Sequence, residues 1–215
     1  MFFLRLYLVI GVGLLCNVSC DQCSSPLGME NGKITNAQLS ASSSYEINSV
    51  GPYQARLNNN KGGGAWCPKS FISEATGTDE FLEIDLGEEY RIGGVVTQGR
   101  FANGLGQEYA ESFLIQYWRP GMPDFQGYED RSGVDLFTGN TDTYTEVETR
   151  LNPPVVASRL RIIPFSRHPR TVCMRVELLG CKEADTGGFI FIKLDFTTVE
   201  NYLIKSCLPF ENLDD

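Results

Sequence analysis

The chain has 215 residues, 18 of them basic and 27 acidic, for a formal net charge of −9 with a single histidine. A surplus of that sign argues against nucleic acid as a partner and against simple attraction to an anionic membrane. Seven cysteines, 22 glycines and 10 prolines suit an exported, disulfide-tied fold rich in turns.

The first element in chain order is a leader. Arg5 precedes an almost unbroken apolar run, Leu6 to Leu15, and Val18-Ser19-Cys20 offers a cleavage site before Asp21. The run is too short to span a bilayer comfortably, so residues 1–20 are expected to be removed as a signal peptide. Without Arg5 the exported chain carries 17 basic against 27 acidic residues. Its length suits one sizeable domain.

From Cys23 to Cys181 short extended segments alternate with Gly, Pro, Asn and Asp clusters. Leu82, Ile84 and Leu86 alternate with Glu83 and Asp85, the period-2 pattern of a strand with one wet face, which Gly87 is expected to end. Arg91 to Gln98 is more continuously apolar and β-branched, as in a central strand. Phe113, Ile115 and Tyr117 alternate with polar neighbours until Arg119-Pro120-Gly121. In Val155 to Phe165, Leu160 and Ile162 are set against Arg159 and Arg161. The last strand runs from Val172 to Leu179, with Arg175 and Glu177 on its polar side.

No stretch of ten or more residues has a helical period, so the expected class is all-β, a jelly-roll sandwich with long loops. Two of those loops, Ser42 to Lys61 and Gln98 to Glu111, are longer than turns require, and such loops tend to carry function. Gly62-Gly63-Gly64 lacks the following Lys-Ser/Thr and the helix of a phosphate loop; it reads as a tight turn delivering Trp66 and Cys67 into the sandwich. Residues 182–215 are acidic and irregular apart from Phe189 to Leu194, and read as a tail or the truncated start of a second module.

Once Cys16 and Cys20 leave with the leader, Cys23, Cys67, Cys173, Cys181 and Cys207 remain. The four inside the domain pair in any of three ways. Cys20-Asp21-Gln22-Cys23 has redox or zinc spacing, but cleavage separates its halves, so no metal is expected there. Cys207 has no evident mate and is either free or joins two chains as a dimer.

Several segments together carry a resemblance: Cys23 with Pro26-Leu27-Gly28-Met29-Glu30, Leu39 to Ser44, Phe81 to Gly87, and Cys173-Met174-Arg175-Val176-Glu177-Leu178-Leu179-Gly180-Cys181. They resemble a discoidin, or coagulation-factor C-type, domain over residues 21–181. Gly64-Ala65-Trp66-Cys67-Pro68, Thr97-Gln98-Gly99-Arg100 and Gly104-Leu105-Gly106-Gln107-Glu108 closely resemble the collagen-binding ectodomain of discoidin domain receptor tyrosine kinases.

That resemblance implies the pairs Cys23–Cys181 and Cys67–Cys173, the second as the floor of a trench between loops where an apolar collagen side chain rests. It implies a rim of Tyr45, Ser49, Gly63, Arg100, Glu108 and Thr171. The family has tryptophan at Tyr45, threonine at Ser49, asparagine at Thr171 and an aspartate at Gly63, so Arg100 is expected to lack its partner there. Without the resemblance, Arg100 and Glu108 read as a solvated loop pair worth under about 1 kcal/mol.

Two other function classes compete. Catalysis is disfavoured, because His168 in Arg167-His168-Pro169-Arg170 has no nucleophile motif beside it, and neither catalytic residues nor a cofactor is expected. Phospholipid or glycan binding is the stronger rival, with Tyr45, Tyr53, Phe71 and Phe101 as candidate loop spikes; against the phospholipid version, residues 21–181 count 14 basic and 20 acidic groups. The expected product is a secreted, soluble form of such a receptor ectodomain.

Overall fold

In the computed structural model, which describes residues 23–74 and 79–182, the alternating segments become antiparallel strands. In chain order they are β1 (Ser25–Pro26), β2 (Leu39–Ala41), β3 (Leu82–Gln98), β4 (Ser112–Trp118), β5 (Gln126–Gly127), β6 (Phe137–Thr138), β7 (Val147–Phe165) and β8 (Arg175–Lys182). They pair in the order β1-β8-β3-β7-β4-β5, with β2 beside β3 and β6 beside β4. Helix is confined to short pieces, among them α1 (Ile47–Val50).

β3 and β7 run alongside each other and serve both layers of the sandwich. Leu82–Asp85 pairs with Arg159–Ile162 next to β2 and β4, whereas Gly94–Thr97 pairs with Val147–Arg150 next to β8. Register shifts between Asp85 and Tyr90 and between Ile92 and Gly94 mark the bends, as expected where one strand passes between layers. Gly87 therefore does not end a strand. It sits at the first bend with φ +76°, a conformation glycine adopts without a Cβ clash.

Leu82, Ile84, Phe113, Ile115, Leu160 and Ile162 from one layer and Ile92, Val95, Val176 and Leu178 from the other belong to one buried cluster. At about 1.5–3 kcal/mol per buried side chain, these outweigh any surface ion pair. Trp66, wholly buried, joins the same cluster and donates its indole N–H to the Ser43 carbonyl at 2.9 Å. The turn that delivers it has positive φ at Gly62 and Gly64.

Three charged residues that alternation puts on wet faces are buried. Glu83 accepts from Arg159 Nη2 at 2.6 Å and Arg161 Nε at 2.7 Å, and the Arg161 guanidinium lies over the Phe81 and Phe125 rings at 4.0 and 3.7 Å. Glu177, 1% exposed, accepts backbone N–H groups of Gly28, Met29, Glu30 and Leu178 at 3.0–3.1 Å. Arg175, 2% exposed, donates to the carbonyls of Gly99 and Thr143 at 2.7 and 2.8 Å. Each satisfies a buried polar group with several partners, the condition for burying charge.

Cys23 is bonded to Cys181 and Cys67 to Cys173, the pairing that the resemblance implies. Loop closure of such separations, 158 and 106 residues, stabilises the fold by roughly 5 kcal/mol each in the chain-entropy account. The first bridge lies beside the middle of β3, where Cys181 pairs with Arg91. Both ends of β3 instead approach the loops: Phe81 bonds Ser42, and Arg100, just past Gln98, bonds Gly63. The two ends of the domain, at Cys23 and Cys181, and the loop cluster thus occupy different parts of the sandwich. Lys182, counted with the tail in the sequence, still pairs with Tyr90. The signal peptide of residues 1–20, the rest of the tail and Cys207 lie outside the described residues.

Candidate functional site

Three loop segments converge where the strands end: 42–73, 99–111 and 166–173. The Cys67–Cys173 bridge lies between them, buried together with Val50 and Ala65. Backbone bonds stitch the first segment to it: Tyr45 N donates to the Cys67 carbonyl at 2.9 Å, Cys67 N to Val50 at 3.1 Å, and Gly63 N to Ser49 at 2.9 Å. The result is an apolar sulfur floor beneath α1.

Arg100 and Glu108 come from opposite ends of one loop and meet over this region. Arg100 N donates to the Glu108 carbonyl at 2.8 Å, and Arg100 Nη1 to Glu108 Oε2 at 2.9 Å, with both side chains a little over a quarter exposed. Burial works to raise the Glu108 pKa, but the Gln107 N–H, the Arg100 hydrogen bond and the Arg100 charge together hold it below the usual carboxylate range. The pair is ionised and fixed at neutral pH.

Arg100 is not short of partners. Its Nε donates to the Gly63 carbonyl at 2.8 Å, so the backbone supplies an acceptor where the family has a carboxylate. The absence of that carboxylate has a packing cause. A Cβ built on Gly63 meets Val50 Cγ1 too closely to fit, with Ser49 O at 2.6 Å and Ser49 Oγ at 2.9 Å. Val50 and Ser49 together fill the space that a side chain at position 63 needs.

Of the residues expected at the rim, Ser49, Gly63, Arg100, Glu108, Cys67 and Cys173 are brought together by these contacts. Tyr45 stands 74% exposed above them, and Thr171 is exposed two residues before Cys173. Phe71 is exposed like Tyr45, whereas Tyr53 and Phe101 are half-buried. Ile47 and Leu105, 82% exposed, also project from these loops without having been anticipated.

A second arginine, which no motif marks in the sequence, is part of the same construction. Arg170 pairs with Glu111 at 2.8 Å and lies over the Tyr109 ring at 4.2 Å. Its place two residues from His168 in a polar stretch gave it the look of a solvated charge. His168 itself is exposed.

Two concavities of about 430 and 450 Å³ open elsewhere, one lined by Tyr117, Tyr128 and Pro153–Val156, the other by Trp118, Pro120 and Arg159. Neither contains a rim residue. Among the described residues no His, Cys, Asp and Glu cluster is placed to hold a metal ion, and no helix is long and apolar enough to cross a membrane.

Comparison with known proteins agrees with this architecture. The F5/8 type C domain family matches residues 38–178. The chain is 44% identical over 180 residues to discoidin domain-containing receptor A of Caenorhabditis elegans, covering 83% of this chain and 23% of the receptor. It is 38% identical over 160 residues to human epithelial discoidin domain-containing receptor 1, covering 74% of this chain and 17% of that one. It thus spans less than a quarter of either relative's length. Among solved structures, recombinant discoidin II of Dictyostelium discoideum superposes with TM-score 0.55 at 21% identity, covering 66% of this chain and 54% of that one. The family 32 carbohydrate-binding module of C. perfringens NanJ, solved with galactose, gives 0.51 at 10% identity, covering 72% and 98%. These two likenesses carry the fold alone. The chain belongs to the F5/8 type C, or discoidin, domain family.

Proposed function

We propose that this domain binds triple-helical collagen at the loop rim, as an exported module of residues 21–181 released from its leader. The observation that carries the reading is the Arg100–Glu108 pair held beside the buried Cys67–Cys173 bridge. A triple helix presents its X and Y side chains outward because only glycine fits its axis, so a partner has to read them from the side. An apolar floor with a fixed charge pair at its edge and an exposed aromatic, Tyr45, meets that need. The identity to two discoidin domain receptors supports it. So does the match of Arg100, Glu108 and both trench cysteines to the pattern that the resemblance names.

A second reading, a phospholipid surface, is favoured by one observation. Tyr45, Ile47, Phe71 and Leu105 are exposed apolar side chains on the loops, suited to entering a bilayer interface. The acidic surplus of residues 21–181, 20 against 14, weighs against it. Glycan binding has a fold-level likeness behind it and no more. Pull-down on fibrillar collagen, phosphatidylserine liposomes and galactose resin separates the three: retention on collagen alone is expected, and retention only on liposomes or on the sugar overturns the reading.

A further inference from the structure

The segment 107–111 is gripped from two sides. Glu108 turns toward Arg100, whereas Tyr109 and Glu111 turn the other way, as successive side chains of an extended chain do. On that second side stands Arg170. Its Nη1 bonds Glu111 Oε1 at 2.8 Å, its Nη2 bonds the Gln107 carbonyl at 3.4 Å, and its guanidinium carbon lies 4.2 Å from the Tyr109 ring centroid. The Ser166 hydroxyl lies 3.2 Å from the other oxygen of Glu111.

Arg170 is itself fixed through its backbone. Its N–H donates to the Ile72 carbonyl at 3.1 Å and its carbonyl accepts from Ile72 N at 2.9 Å. It precedes the exposed Thr171 and stands three residues from Cys173. One residue therefore ties all three loop segments of the site: 42–73 by its backbone bridge, 166–173 by sequence, and 99–111 by its side chain through ion pair, carbonyl and ring. The planar fork is suited to this, since it engages a carboxylate, a carbonyl and an aromatic face together in a way an ammonium does not.

We propose that Arg170 is a positioning residue of the binding rim: by clamping Gln107, Tyr109 and Glu111 it sets the place at which Glu108 meets Arg100 and is presented to a ligand. This rests on the loop rim being the binding site. Arg170 acts through Glu108 and needs no contact with the ligand. The clamp is also expected to hold Thr171 and Glu108 at a constant separation across the trench.

The test compares the exported chain with its Arg170→Met and Arg170→Lys variants. Three readouts are taken: affinity for a triple-helical collagen peptide, amide exchange at Arg100, and NMR titration of the Glu108 carboxyl. In Arg170→Met, binding falls about tenfold, exchange at Arg100 rises while that at Val95 and Val96 does not, and Glu108 titrates higher although Arg170 does not touch it. Arg170→Lys, which keeps the charge and loses the fork, recovers part of each. Unchanged binding, exchange and titration in both variants overturn the proposal. Should Arg170→Met fail to fold, the same three readouts on Arg170→Lys decide. If the unmodified chain does not bind the peptide, the collagen reading fails, and exchange and titration still settle whether Arg170 positions Glu108.

Discussion

The seam where the two ends of the domain meet and the loop end of the sandwich are built from similar parts, a disulfide and a carboxylate held by donors. They differ in what is left open to water. At the seam, Glu177 is sealed among four backbone N–H groups, and β1 lies flat on β8 below the Cys23–Cys181 bridge. At the loop end the Cys67–Cys173 bridge is buried, more so than the half-buried Cys23–Cys181 bridge, but its carboxylate, Glu108, is part-exposed and shares its donor with a backbone carbonyl. Sealed polar groups stabilise; half-open ones remain available to a partner. The seam is therefore expected to govern stability and the rim to govern binding.

The largest effect that sharpens the contrast is at the seam. Glu177→Gln removes the charge and points an N–H₂ group at backbone donors, and it is expected to cost about 3 kcal/mol in denaturant unfolding. The fraction still folded should bind collagen as before. A loss under about 1 kcal/mol would show the seam to be less tightly built than its hydrogen bonds indicate.

A smaller loss probes the rim's own packing. Gly63→Asp restores the family's carboxylate but drives a Cβ into Val50 and Ser49, an overpacking penalty of about 2 kcal/mol. Adding Val50→Ala is expected to return only part of that stability in thermal unfolding, because the Ser49 carbonyl oxygen still lies 2.6 Å from the new Cβ. If Gly63→Asp alone is neutral, Val50 and Ser49 are not what excludes a side chain there.

The smallest effect is one of pH. Because its folded-state pKa is depressed, Glu108 contributes stability that is fully present above its unfolded value of about 4.3 and is lost as pH falls through the lower folded value. Unfolding titrations of the unmodified chain and of Glu108→Gln should differ by under about 1 kcal/mol at neutral pH, since the pair is part-exposed, and converge in acid. A gap that widens on acidification would contradict the sign.

Much of this fold is legible in residue order. Alternation locates β4, the Leu82–Leu86 part of β3 and the Val155–Phe165 part of β7, because inward residues such as Ile84, Ile115 and Leu160 bury against a common core; the Val147–Arg150 part of β7 shows no such apolar pattern in the sequence. Alternation fails at Glu83, Arg175 and Glu177, since it assumes a strand has one wet face. Arg159 and Arg161 cover Glu83, the segment 28–30 covers Glu177, and the Gly99 and Thr143 loops cover Arg175. Such covers come from segments distant in sequence and leave no local period. Two-residue strands such as β5 and β6 are too short to show one at all. At the site, the cysteine pairing is anticipated by resemblance, whereas the Arg100–Glu108 contact reads from the residues only as a solvated loop pair. The Val50–Gly63 fit and the Arg170 clamp are not anticipated, because each depends on a contact between loops that only the folded chain brings together.

The central claim is that a fixed rim, and not the fold as such, recognises a triple helix. Its most direct test is a binding isotherm for a triple-helical collagen peptide with the unmodified chain and with Arg100→Ala, using the same peptide melted to single strands as control. Saturable binding to the triple helix alone, lost in Arg100→Ala while its unfolding free energy stays within about 1 kcal/mol, is the predicted result. Equal affinity of the two proteins, or equal binding to the melted peptide, would contradict it.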